Sequence, residues 1–94
     1  MREPGEDAGL TMRVLYFAWL RQRVGTGEEE VSPPASVTDV GGLVRWLAAS
    51  SPGHAAAFAD PSLVRMAVNQ EFCGPEHPVA AGDEVAFFPP VTGG

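Results

Sequence analysis

The sequence predicts an α+β roll, in which a small mixed sheet packs on one main helix. Three observations predict it. Strongly apolar, strand-like segments stand near both ends, Met12 to Trp19 and Glu84 to Phe88. Between them Val37, Val40, Leu43, Val44 and Leu47 recur at helical spacing and form one apolar stripe. The remaining segments are short and bounded by proline and glycine, so they suit brief strands and turns. At 94 residues the chain defaults to one domain with one modest core.

Taken in order, residues 1–11 read as a disordered polar extension outside the fold. Met12 to Trp19 is nearly all apolar and rich in strand formers, so it suits a strand covered on both faces. Leu20 to Gly27 is a connection with room for one helical turn. Glu28 to Ser32 reads as an exposed strand near a sheet edge, with Glu28, Glu29 and Glu30 solvated. Pro33-Pro34 stops it. Ser36 then opens the main helix, paired with Asp39 in the manner of a capping box. Gly41-Gly42 weakens that helix, and close packing on the sheet is a reason for the pair. Pro52-Gly53 ends it.

His54 to Ala59 reads as a short second helix, broken by Asp60-Pro61. Leu63 to Asn69 alternates as a third strand. Asn69-Gln70-Glu71 is a turn, Phe72-Cys73 a short return, and His77 to Val79 a further edge segment. Gly82-Asp83 turns into the last strand, Glu84 to Phe88. The first and last strands are the most apolar, which places them side by side at the centre with the helix over one face.

Composition narrows the function. Twelve acidic residues against six basic ones give a net charge of −6. That excludes a basic nucleic-acid surface and fits a partner with a basic docking face. All the basic residues are arginine, so the chain offers no lysine amine for Schiff-base or isopeptide chemistry. Cys73 is the one cysteine, so no internal disulfide forms, which fits a reducing compartment. It reads as a structural thiol. His54 and His77 are lone histidines without metal-ligand spacing, and neither is read as a ligand. The first residues lack the apolar core of a signal peptide, and the longest apolar run is far shorter than a membrane span.

The end of the sequence is the candidate chemical site. Phe88 leads into Pro89-Pro90-Val91-Thr92-Gly93-Gly94. The prolines end sheet pairing and stiffen the exit. Val91 to Gly94, when extended, spans on the order of 13 Å at ~3.3 Å per residue, enough to enter another protein's pocket. Gly93-Gly94 threads a narrow channel and presents an unhindered carboxylate. Activation of that carboxylate needs ATP. No Gly-rich phosphate loop with its lysine is present, so a partner supplies the nucleotide site.

With the segments Val14–Arg21, Val37–Leu47, Ala67–Cys73 and Gly82–Gly94 in view, the chain resembles the small subunits of molybdopterin synthase. This is the MoaD family of ubiquitin-like β-grasp sulfur carriers, and the resemblance covers about residues 12–94. The ending Phe-Phe-Pro-Pro-Val-Thr-Gly-Gly is its most specific piece. Residues 1–11, the Gly41-Gly42 pair and the absence of lysine depart from the family pattern. The resemblance implies a β-grasp domain over residues 12–90 and a carrier tail over residues 91–94. It implies that Gly94 is adenylated, converted to a thiocarboxylate and used to donate sulfur to a cyclic pyranopterin precursor. Pro89, Pro90, Val91, Thr92 and Gly93 become contacts of the partner channel, and Phe87 and Phe88 become partner interface.

The implied partners are the synthase large subunit, an adenylyltransferase related to ubiquitin-activating enzymes and a persulfide donor. No cofactor is bound, ATP being used by the activating partner, and the location is cytoplasmic. Catalytic acids and bases belong to the large subunit, so this chain is a carrier and co-substrate. Rival readings are a sulfur carrier for thiamine or cysteine synthesis, a protein modifier joined to lysines, and a non-covalent binding module.

Overall fold

A computed structural model describes residues 11–90. The elements are β1 (Met12–Tyr16), α1 (Trp19–Val24), β2 (Glu28–Val31), α2 (Val40–Ala48), α3 (Pro52–Ala57), a 3-10 turn (Pro61–Leu63), β3 (Arg65–Val68), β4 (Glu71–Cys73) and β5 (Glu84–Phe88). The strands form one sheet in the order β2-β1-β5-β3-β4. β1 and β5 run parallel with Val14 beside Val85 and Tyr16 beside Phe87, while the other neighbours are antiparallel. The most apolar strands therefore do lie together, and β2 is an edge.

The two-residue strand period sorts side chains between faces. Met12, Val14, Tyr16, Val85 and Phe87 point to the helices and join Leu20, Val40, Leu43 and Leu47 in one core. Tyr16 and Phe87 stack with ring centroids 6.2 Å apart, and Phe58 meets Phe87 edge-on at 5.0 Å. The other face is open. Arg13 is exposed and Leu15 half-buried, which corrects the expectation that β1 is covered on both faces.

The main helix starts later than its sequence pattern predicts. Its N-cap is Asp39, whose carboxylate accepts the Gly42 N–H at 2.7 Å. Ser36 is outside the helix. Residues 37–39 are drawn into strand-like pairing with residues 77–79: Val79 donates its N–H to the Thr38 carbonyl, Val40 donates to that of His77, and Asp39 bridges Pro78. Backbone bonds made to a distant segment are unavailable to a helical turn. Gly41 packs against the same loop and not the sheet; its N–H donates to the Pro75 carbonyl at 2.8 Å, where a Cβ would come within 3.3 Å of that oxygen.

Pro52-Gly53 begins α3 instead of ending α2. Ser51 caps α3 by accepting the His54 N–H, and proline at the first helical position loses only an N–H with no helical partner. Gly53 lets α3 cross α1 closely: a Cβ there would stand 2.5 Å from the Arg23 carbonyl oxygen.

Candidate functional site: the tail exit and its aromatic face

The last strand alternates, and its two phenylalanines part company. Phe87 is fully buried among Tyr16 and Phe58, so it holds the core and presents no surface to a partner, contrary to expectation. Phe88 points to the open face, half-buried, with its ring 5.6 Å from that of Phe72. Pro89 and Pro90 follow, half-buried, where the chain leaves the sheet. The expected tail residues Val91, Thr92, Gly93 and Gly94 lie outside the described residues.

The sequence pattern marks Phe72 only as part of a return strand, yet it is the most exposed large apolar residue among those described, at 83%. The turn explains it. Asn69 and Gln70 both adopt positive φ, at 51° and 71°, and join β3 to β4 in a tight hairpin. The resulting register pairs Met66 with Cys73 and Ala67 with Phe72. Cys73 faces the helix side with Met66, so Phe72 must face out. The Asn69 side chain ties this hairpin to β5: its oxygen accepts the Glu84 N–H and its amide donates to Asp83, both at 3.0 Å.

By strand alternation, Phe17 continues the open face beyond β1 and is 49% exposed. Leu15, Ala86 and Phe88 thus form an apolar field beside the exit, extended by Phe17 and Phe72. At the opposite end of the same strands Arg13 stands between Glu30 and Glu84. The face grades from charged to aromatic toward the tail. An exposed aromatic cluster of this kind marks an interaction surface.

A second constellation lies on the helix side. Tyr16 donates its hydroxyl to Glu29 Oε2 at 2.6 Å, and His54 Nε2 meets the same oxygen at 2.7 Å. Ser51 Oγ lies 2.6 Å from His54 Nδ1. With a carboxylate at Nε2, the neutral ring carries its proton there and accepts the Ser51 hydroxyl at Nδ1. Burial, and then the hydrogen bond that the phenol donates to Glu29, push the Tyr16 phenol well above its ordinary range. The cluster ties β1, β2 and α3 together. Glu29 is therefore not a solvated edge residue and His54 is not isolated. One signal was legible beforehand: in β2, Glu29 shares a face with the apolar Val31.

Cys73 is half-buried on β4, and burial, with the Glu76 charge adding to it, raises its thiol above the ordinary range. A protonated thiol is a poor nucleophile, which leaves the tail as the better candidate for carrying an acyl or sulfur group. His77 is engaged with the Pro78 carbonyl at 2.8 Å. Among the described residues no helix is long and apolar enough to cross a membrane.

Comparison with known proteins places this geometry in context. Residues 14–94 match the ThiS family. The molybdopterin synthase sulfur carrier subunit of Escherichia coli (strain K12) is 47% identical over 83 residues, covering 88% of this chain and 99% of that protein. The sulfur carrier subunit of the same name from Haemophilus influenzae is 32% identical over 83 residues, with the same coverage. The crystal structure of the H. volcanii small archaeal modifier protein 1 superimposes with a TM-score of 0.72 at 28% identity, covering 88% of this chain and 100% of that one.

Proposed function

The chain belongs to the ThiS family, and we propose that it serves there as the sulfur carrier subunit of a molybdopterin synthase. The observation that carries the reading is likeness at 47% identity to a protein of that name over nearly its whole length, with the family match running through residue 94. The geometry adds a reason. The chain leaves the sheet at Pro89-Pro90 beside an exposed aromatic face, so a partner seated on Phe17, Phe72 and Phe88 would receive the tail in its own pocket.

The Gly94 carboxylate attacks the α-phosphorus of ATP on an adenylyltransferase and releases pyrophosphate. The terminal sulfur of a persulfide donor displaces AMP, and a thiol cleaves the resulting acyl disulfide to leave the thiocarboxylate. In the large subunit its sulfur attacks a side-chain carbon of the cyclic pyranopterin precursor as an oxygen substituent leaves that carbon, and hydrolysis of the resulting thioester leaves the sulfur there and returns the Gly94 carboxylate. Two such transfers supply a dithiolene. Gly93 is the spacer, Val91 and Thr92 line the channel, Pro89 and Pro90 aim the tail, and catalytic acids and bases belong to the large subunit. No cofactor resides on this chain, and the cytoplasm, a reducing compartment, suits its lone cysteine.

Intact mass spectrometry tests this. After incubation with ATP, the activating enzyme and a persulfide donor, the chain gains the mass of one sulfur replacing one oxygen, and a chain lacking Gly94 does not. An unchanged mass with a demonstrably active enzyme mixture would overturn the reading. The likeness to a small archaeal modifier protein favours a second one, a modifier joined to target lysines. Isopeptide adducts ending at Gly94 on other proteins would distinguish it.

A further inference from the structure

The sheet has two edges, β2 and β4, and they differ in what they offer a further strand. β2 carries Glu28, Glu29 and Glu30 in succession. Two copies laid antiparallel across those glutamates set carboxylate against carboxylate, and like charges directly opposed destabilise a strand pair. Charge of this kind protects an edge from pairing. β4 has far less protection. Its three residues, Glu71, Phe72 and Cys73, carry one charge and no proline.

The bonding pattern shows which backbone groups β4 turns outward. Asn69 donates its N–H to the Glu84 carbonyl of β5 at 2.7 Å. Peptide groups along a strand alternate in direction, so Ala67, two residues earlier, also turns to β5. Met66 and Val68 therefore bond to β4, opposite Cys73 and Glu71. Phe72, opposite Ala67, is left with its N–H and C=O aimed out of the sheet. Its side chain stands on the open face, 83% exposed. In a hydrogen-bonded antiparallel pair, two residues directly opposite exchange both of their bonds. Phe72 is thus equipped to be the centre of a symmetric pair.

We propose that β4 pairs antiparallel with β4 of a second copy of this chain, about a two-fold axis between the two Phe72 residues. Each Phe72 donates its N–H to the carbonyl of the other, and the two rings stand side by side as a cross-strand aromatic pair. Glu71 of each copy falls opposite Cys73 of the other, so within β4 no acid faces an acid. His77 donates to the Gly74 carbonyl at 3.2 Å and turns the chain away, which limits the contact to a short strand. So small an interface is weak, with a dissociation constant on the order of 1 mM. Each copy carries a net charge of −6, so salt strengthens the association by screening. The dimer does not depend on the carrier reading. On that reading it has a consequence: a large subunit seated on Phe72 and a second copy paired at Phe72 exclude each other.

Sedimentation equilibrium of the full chain tests the association, and a disulfide tests its register. The average mass is expected to rise with protein concentration and further with added sodium chloride. Phe72→Ser is expected to weaken the dimer by about fivefold, the worth of an aromatic cross-strand pair. Glu71→Cys, at an exposed position, sets a thiol opposite Cys73 of the second copy in a non-hydrogen-bonded pair. The Cα separation of such a pair is about 4.5 Å, within reach of a disulfide. Oxidised glutathione is expected to convert this variant to a covalent dimer in which peptide mapping finds residue 71 joined to Cys73. The unsubstituted chain, whose Cys73 faces Glu71, stays uncrosslinked under the same treatment. A monomer mass at every concentration up to a few millimolar would overturn the proposal. So would crosslinks joining mainly like positions, or a dimer indifferent to Phe72→Ser.

Discussion

Phe87 and Phe88 are adjacent, identical in chemistry and carried by the same strand, yet they belong to two different parts of the molecule. Phe87 is fully buried between Tyr16 and Phe58, whereas Phe88 shares the open face with the far more exposed Phe72. The sheet's inner face is thus closed by helices and finished as a core. Its outer face is left apolar at the end where the tail departs. Residue type alone does not tell core from contact surface; one step along a strand does.

The comparison breaks most visibly at Phe87. Phe87→Ala is expected to lose about 3–5 kcal/mol of stability, as large core truncations do. Urea unfolding measures it, and a loss below about 1 kcal/mol would mean that the inner face repacks freely.

The next largest effect lies in the Tyr16–Glu29–His54 cluster. Glu29→Ala strands the tyrosine hydroxyl and the histidine ring nitrogen and is expected to cost about 1–3 kcal/mol. The same cluster has a pH signature. The folded Tyr16 holds its proton far above the ordinary value of 10.0, while the unfolded phenol ionises near that value. Its contribution is therefore full below about pH 10 and declines as the pH rises above that. Tyr16→Phe should remove this alkaline decline from the unfolding free energy measured between neutral pH and pH 11.

Ala18 sharpens the contrast from the connecting side. It holds φ 57°, ψ −134° at the start of α1, without a side-chain cap. Such backbone costs a non-glycine residue about 1–3 kcal/mol, so Ala18→Gly should stabilise by about 1 kcal/mol after glycine's entropic penalty, read as a higher thermal midpoint. The smallest effect on stability belongs to the outer face. Phe72→Ser should change unfolding free energy by less than about 0.5 kcal/mol while weakening capture of the large subunit, measured by calorimetry. Unchanged binding would remove the aromatic face from the docking surface.

Much of this was legible in the sequence because it is written in short-range pattern. The unbroken apolar runs of β1 and β5 mark the central pair, Asn69-Gln70 marks the hairpin, and the acidic β2 marks an edge. Pro89-Pro90 marks where pairing stops. The same local logic misplaced Ser36, because the pull of residues 77–79 on residues 37–39 comes from some forty positions away. It also read Pro52-Gly53 as a terminator, since proline serves equally after one helix and at the first position of the next.

The sequence by itself determined the architecture, the edge strand, the exit of the chain and the residue type at the end of the tail. These follow from side-chain periodicity and backbone restrictions that act within a few residues. Only the tertiary structure decided that Phe87 is core and Phe88 surface, that His54 meets a Glu29 oxygen across 25 positions of chain, and that Tyr16 donates to the same oxygen. Each depends on register and on which elements pack together. Those are set by the collective burial of the core and have no signature in any single segment.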